Sequence, residues 1–163
     1  MNKISNAFRI GKVNFGKDFV VIAGPCVIES KKHTLLMAGR LLDICHKFKV
    51  PLVFKSSYDK ANRSSVASYR GPGLTEGLGI LQEVKRKFGV PVLSDVHAVD
   101  EVKEAAKVLD ILQIPALLSR QTDLIVACAK TKKPLNIKKG QFLAPIDMQN
   151  VIKKATSCGN RRI

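Results

Sequence analysis

The chain has 163 residues, 45% of them hydrophobic and 25% charged, the composition of one ordinary folded domain with a real core. No apolar run approaches membrane-spanning length, and the opening MNKISNAFRIGKV lacks the apolar centre of a secretory signal, so a cytoplasmic protein with no membrane partner is expected. A net charge of +15 invites a nucleic-acid partner, but aromatic content is 6% and Trp is absent. The cations are scattered in pairs such as Lys31-Lys32, Lys132-Lys133 and Lys153-Lys154, which solvated helix ends explain, so no nucleic-acid partner is expected.

In chain order, RIGKVNFG (9–16) predicts a small hairpin turning near 11–14, and FVVIA (19–23) predicts a buried strand closed by Gly24-Pro25. TLLMAGRLLDICHKF (34–48) sets Leu35, Met37, Leu41, Leu42, Ile44 and Cys45 at helical spacing. Strands at 52–55, 91–94, 110–114 and 135–137 then alternate with helices at 74–88, 99–108, 121–130 and 147–156. Such alternation implies a parallel sheet with right-handed crossovers, in a single domain over 1–163. Cys45 and Cys128 fall inside apolar helical patterns and read as buried thiols; without a CxxC pair, no disulfide framework is expected. His33 and His46 read as surface residues at helix ends, and His97 follows a strand.

The stretch 52–73, LVFKSSYDKANRSSVASYRGPG, passes from a short apolar run into a long polar loop carrying Lys55, Lys60, Arg63 and Arg70 among hydroxyl and amide groups. Loops of this length inside compact domains are uncommon unless functional, and these donors suit phosphate and sugar oxygens. Chemistry-bearing residues also recur at strand ends. Cys26 follows the first strand, Lys55 ends the second, Asp95 follows the third, Gln113 lies near the end of the fourth, and Lys138 closes the fifth. In parallel α/β folds the carboxyl ends of strands form the active face, which places all five around one pocket. Asp95 reads equally well as a helix cap, and Lys139 as a solvated neighbour of Lys138.

Five βα units fit two architectures. A doubly wound five-stranded domain needs about this length, whereas a closed eight-stranded barrel takes roughly 250 residues.

The run FKSSYDKANRSS with YRGPG, together with AGPCVIES, LSDVH, QIPALLSRQTDL and NIKKGQF, resembles the 3-deoxy-D-manno-octulosonate 8-phosphate synthases over nearly the whole chain. The resemblance implies an α/β TIM (β/α)8 barrel with a short amino-terminal hairpin, here broken off after about five βα units, where Arg161-Arg162-Ile163 would open a sixth strand. It implies an enzyme, a transferase that condenses phosphoenolpyruvate with D-arabinose 5-phosphate, and a 163-residue chain inactive alone. Lys60 and Lys138 would hold phosphoenolpyruvate, aided by Ser57, Gln113 and the Ala116 backbone; Lys55, Asn62, Arg63 and Ser64 would hold the sugar phosphate. Asp95 would orient water, a lysine or a metal shell. Cys26 matches the metal-dependent class, in which its thiolate binds a divalent metal such as Zn, Fe or Mn, with the other ligands lying beyond Ile163. A homo-oligomer, in the family a tetramer, is implied as well. Two rivals stay open: a related phosphoenolpyruvate-dependent synthase of the DAHP or sialic-acid type, and a non-catalytic basic binding domain.

Overall fold

The structure, a computed structural model, describes residues 7–163; the polar start at 1–6 lies outside the described residues. Its elements are a hairpin of β1 (Phe8–Ile10) and β2 (Val13–Phe15), then β3 (Val21–Ala23), α1 (Lys31–Lys47), β4 (Leu52–Lys55), α2 (Leu74–Phe88), β5 (Val92–Asp95), α3 (Val102–Val108), β6 (Ile111–Ile114), α4 (Thr122–Lys130), β7 (Leu135–Ile137) and α5 (Met148–Ser157).

Strand order separates the two architectures. The five-stranded parallel sheet runs β3-β4-β5-β6-β7 without a reversal, so every crossover steps in the same direction. A doubly wound sheet needs a reversal to place helices on both faces, whereas sequential order keeps the helices on one face and curls the sheet toward a barrel wall. The fold is therefore an α/β half-barrel.

Alternation along the strands assigns the two faces. Leu52, Phe54, Val92, Leu112, Ile114 and Leu135 point outward into the large core shared with the helices, joined there by Leu81, Val84, Ile125 and Cys128. Val53, Leu93 and Ile111 point inward and pack with Val13 of the hairpin, flanked by Ile10, Phe15 and Val20. The hairpin thus plugs the amino-terminal end of the curl. Each of these fully buried side chains stabilises the fold by about 1.5–3 kcal/mol relative to exposure.

Several boundaries shift from the sequence reading for local reasons. The strand expected at 19–23 pairs only from Val21, which faces Leu52, and Phe19 is 78% exposed. α1 begins at Lys31 because Ser30 caps it, Oγ accepting from the His33 N–H at 3.1 Å. α3 starts at Val102 rather than near 99, since the Glu101 carboxylate turns back to accept from the His97 N–H at 2.9 Å and the Tyr58 hydroxyl at 2.8 Å. On the outer side of β7, the Leu135 N–H donates to the Arg162 carbonyl at 2.8 Å, repeating the bond from Leu112 to Pro134 at 3.0 Å one strand earlier. The chain therefore leaves α5 along the position of a following strand.

Two glycines of α2 have opposite surroundings. A Cβ on Gly77 would lie 2.3 Å from the Tyr58 Cβ, while one on Gly79 meets nothing within 4 Å. Gly79→Ala is expected to stabilise the chain by about 0.5–1 kcal/mol through helix propensity, and Gly77→Ala to destabilise it despite the same gain. Urea denaturation midpoints of the two variants check this; equal shifts would refute the close approach of α2 to Tyr58.

Candidate functional site

Above the apolar plug the inner face turns polar. Asp95 on β5, Gln113 on β6 and Asn136 on β7 occupy one continuous row of register partners, so their side chains leave the sheet on the same side. Asp95 Oδ2 accepts from Ser57 Oγ at 2.7 Å and lies 3.5 Å from Lys60 Nζ and 4.0 Å from Lys55 Nζ. Its Oδ1 accepts from Gln113 Nε2, whose Oε1 in turn accepts from Asn136 Nδ2 at 2.8 Å. Lys55 Nζ donates to Ser57 Oγ at 2.8 Å, which gives that hydroxyl both a donor and an acceptor. Ser57, Asp95 and Gln113 are all buried, and every one is satisfied within this network.

The strands approach closely where the network begins. A Cβ on Gly24 would stand 1.9 Å from the Lys55 carbonyl oxygen, so only glycine lets the end of β3 reach the end of β4. That contact brings the Cys26 loop over the lysine. Tyr58 seals the outer side of the loop base. It is buried, its hydroxyl is bonded to Glu101, His97 packs edge-on against its ring, and burial, with Glu101, raises its pKa.

Burial pushes the Asp95 carboxyl upward, but Lys55, the Ser57 hydroxyl, Lys60 and the Gln113 amide together outweigh it and hold Asp95 ionised, below the usual carboxylate range. Burial drives Lys55 the other way, down to about 8; Asp95 opposes this, Lys60 and Lys138 add to it, and Cys26 acts with Asp95. Lys60, Lys138 and Cys26 thus stand close enough to be felt at one ammonium. Lys55, Lys60 and Lys138 against the single carboxylate of Asp95 leave this end of the sheet with excess positive charge, suited to a ligand with more than one anionic group.

The expected sugar-phosphate residues lie elsewhere. The loop is fastened at its base by the Lys60 N–H donating to the Arg70 carbonyl at 2.7 Å, by Arg70 Nε on Asp59 Oδ1 at 2.8 Å, and by the Tyr69 hydroxyl on the Ile28 carbonyl at 3.0 Å. Beyond those ties Asn62, Arg63 and Ser64 are exposed at its tip, where Arg63 Nε donates to the Tyr69 carbonyl at 3.2 Å. The structure does not join them to the Asp95 network, whereas Lys55, expected with the sugar group, is part of it. Ala116 opens a one-turn 3-10 helix, Ala116–Leu118, just past β6 on the same end of the sheet.

Three readings are refined. Asp95 is the last residue of β5 and caps no helix, because its carboxylate is committed inward. Lys139 is exposed, as read, but it is not idle: its Nζ donates to the carbonyls of Gly140 and Leu143 at 2.9 and 3.0 Å, bracing the loop that follows Lys138. Asn136 was missed altogether. The sequence offered only a spacing: Asn136 lies in β7 (Leu135–Ile137), two residues before Lys138, which follows the strand's end.

Among the described residues no group of three or more His, Cys, Asp or Glu side chains is placed to hold a metal. Cys26 is exposed beside Lys55 and offers a single soft donor. Nor is any helix among the described residues long and apolar enough to cross a membrane. A cavity of about 860 Å³ opens at the opposite end between the hairpin and the ends of α1 and α2, and none of the network residues line it.

A half-barrel of parallel strands with a convergent cationic site at the strands' carboxyl ends defines an α/β fold whose polar end is suited to anionic ligands. Residues 3–163 match the model of the DAHP synthetase I family, and the chain belongs to that family. It is 59% identical over 152 residues to a protein of Trichlorobacter lovleyi, covering 93% of this chain and 56% of that protein. It is 58% identical over 156 residues to one of Geobacter sulfurreducens, covering 94% and 57%, and 60% identical over 144 residues to one of Burkholderia multivorans, covering 88% and 51%. All three are named 2-dehydro-3-deoxyphosphooctonate aldolase. The chain thus spans about half the length of the curated relatives it matches.

Lys55 is expected to lose its proton near pH 8, well before exposed lysines at about 10.4. Asp95→Asn should lower that value further, because it removes the negative charge that holds the proton on. Side-chain NMR titration, with Lys55 assigned by its loss in Lys55→Arg, checks both; Lys55 titrating with the surface lysines would refute the described burial.

Proposed function

We propose that this chain forms the phosphoenolpyruvate-binding half of a 3-deoxy-D-manno-octulosonate 8-phosphate synthase, the activity that condenses phosphoenolpyruvate with D-arabinose 5-phosphate and water. The observation that carries the reading is the convergence of Lys55 and Lys60 on the buried carboxylate of Asp95, with the exposed Lys138 near enough to add its charge at Lys55. Phosphoenolpyruvate bears a carboxylate and a phosphate, and ammonium groups delivered from different elements can bind both while leaving its methylene carbon uncovered.

In the reaction, that methylene carbon forms a bond to the sugar aldehyde carbon, the oxygen of water adds at the second carbon, and phosphate departs from it. Lys60 and Lys138 would hold the anion, Ser57 and Gln113 would line its floor together with the Ala116 backbone, and Asp95 would keep the Lys60 ammonium in place. Gln113 has one amide hydrogen left for a ligand after bonding Asp95. Asn62, Arg63 and Ser64, presented on the exposed loop tip, would meet the sugar phosphate. That placement fits a homo-oligomer, a tetramer in our reading, in which the tip serves a neighbouring subunit, and a cytoplasmic enzyme. Cys26 would supply one thiolate ligand to a divalent metal, Zn, Fe or Mn, whose chemistry when bound is to polarise a substrate group or a water.

Because the chain covers 56% of the Trichlorobacter lovleyi relative, the test completes it with the remaining length of that protein. The chimera is expected to release phosphate only when both substrates are present, and Lys60→Ala and Lys138→Ala to lower turnover by on the order of a hundredfold or more. Asn62→Ala should weaken arabinose 5-phosphate far more than phosphoenolpyruvate. Faster turnover with erythrose 4-phosphate would instead favour the related DAHP-type activity, and no phosphate release would favour a binding domain.

Metal content gives a readout independent of turnover. The chimera should copurify with or take up close to one divalent ion per chain, and Cys26→Ser should lose most of it, because a hydroxyl is a poor substitute for a thiolate. Equal metal content in both proteins would remove Cys26 from the ligand set.

A further inference from the structure

The Asn136 side chain hydrogen-bonds to neither Lys60 nor Lys138, yet it ends the row that holds Asp95. We propose that Asn136 is a positioning residue for the anion site: it fixes which end of the Gln113 amide faces Asp95, and through that amide it sets the orientation of the carboxylate that Ser57 and Lys60 share.

The polarity of the row leaves one arrangement. An ionised carboxylate only accepts hydrogen bonds, so Gln113 must present Nε2 to Asp95 Oδ1. A primary amide carries its oxygen on the other branch, which turns Oε1 toward β7 and leaves it in need of a donor. Asn136 Nδ2 supplies that donor at 2.8 Å. The register delivers the three residues in line, Asp95 opposite Gln113 and Gln113 opposite Asn136, so no rotation of the backbone is needed. Gln113 is 3% exposed, and without Asn136 its Oε1 would have lost that partner beneath the sheet's rim.

The choice of side chain at 136 is therefore directional. An aspartate there would accept only, so the Gln113 amide would turn over to give it Nε2, and Oε1 would then face Asp95 Oδ1, acceptor against acceptor. Asp95 could relieve this by rotating away from its bonds with Ser57 and Lys60 or by taking up a proton, and either change gives up the ionised carboxylate that holds Lys60. Alanine would remove the restraint without reversing it. The near-isosteric change is thus more harmful than the truncation, the opposite of what a packing role gives.

The test uses the completed chimera, and only its kinetic arm rests on the synthase reading. Asn136→Ala is expected to lower turnover about tenfold and Asn136→Asp about a hundredfold, while in a Gln113→Ala background Asn136→Ala costs less than about twofold more. The second arm follows the Gln113 side-chain amide resonance, identified by its absence in Gln113→Ala, which should shift in Asn136→Asp whether or not the protein turns over phosphoenolpyruvate. Should Asn136→Asp fail to fold, activity in the order Asn136→Ser above Asn136→Ala above Asn136→Leu carries the same comparison. Alanine as damaging as aspartate, losses that multiply in the double variant, or an unmoved Gln113 resonance would each overturn the proposal; synthase activity absent from the unsubstituted chimera would overturn the functional reading and leave the resonance to decide this one.

Discussion

A carboxylate that stays ionised while buried is costly, several kcal/mol before its partners are counted, and the active end of this half-barrel is arranged around meeting that cost at Asp95. Ser57, Lys60 and Lys55 come from the end of β4 and the loop after it, and Gln113 comes from β6. Parallel register, not sequence proximity, brings the end of β4 and Gln113 to Asp95 from its two sides. The charge then works outward. Asp95 keeps Lys55 and Lys60 drawn to the floor of the site, where a second anion can meet them, and because the network is shared, moving one member disturbs the bonds of the others.

The same strands build both ends of the curl. Two residues along a strand bring the next side chain to the same face, so Val53 is followed by Lys55, Leu93 by Asp95 and Ile111 by Gln113. The lower layer is apolar and is closed by the hairpin at Val13; the upper layer is polar and opens toward the loops. A low-dielectric layer directly beneath the charges strengthens their mutual interactions and denies water a path from below. The plug at one end and the chemistry at the other are thus linked by strand periodicity.

The candidate binding residues fall into two groups that differ in rigidity. Ser57, Asp95 and Gln113 are fixed on strands or their immediate ends and each is hydrogen-bonded within the network, as a preorganised anion site requires. Asn62, Arg63 and Ser64 sit on a loop whose base is tied down by Arg70 and Tyr69 but whose tip faces solvent. In the proposed function, the fixed floor would hold one substrate and the accessible rim would admit the other. Lys139 belongs to neither group. By clasping the carbonyls of Gly140 and Leu143 it stiffens the loop just past Lys138.

Periodicity by itself was enough to place every βα unit, because alternation in strands and a 3.6-residue repeat in helices are local consequences of which face is buried. It also brought Cys26, Lys55, Asp95, Gln113 and Lys138 to one end of the sheet, since polar residues at carboxyl ends of parallel strands have a direction fixed by chain polarity. Boundaries were less legible: the start of α3 depends on Glu101 reaching back to His97 and Tyr58, a contact with a residue 43 positions away. Strand order, and with it the choice of a half-barrel over a doubly wound sheet, was decided only in three dimensions, because both architectures share the same succession of elements. So was the role of Asn136. Nothing in NIKKG distinguishes a bonded amide from a solvated one; the distinction is made by register, which sets Asn136 beside Gln113 and Gln113 beside Asp95 and turns three residues, distant in sequence, into one hydrogen-bonded row.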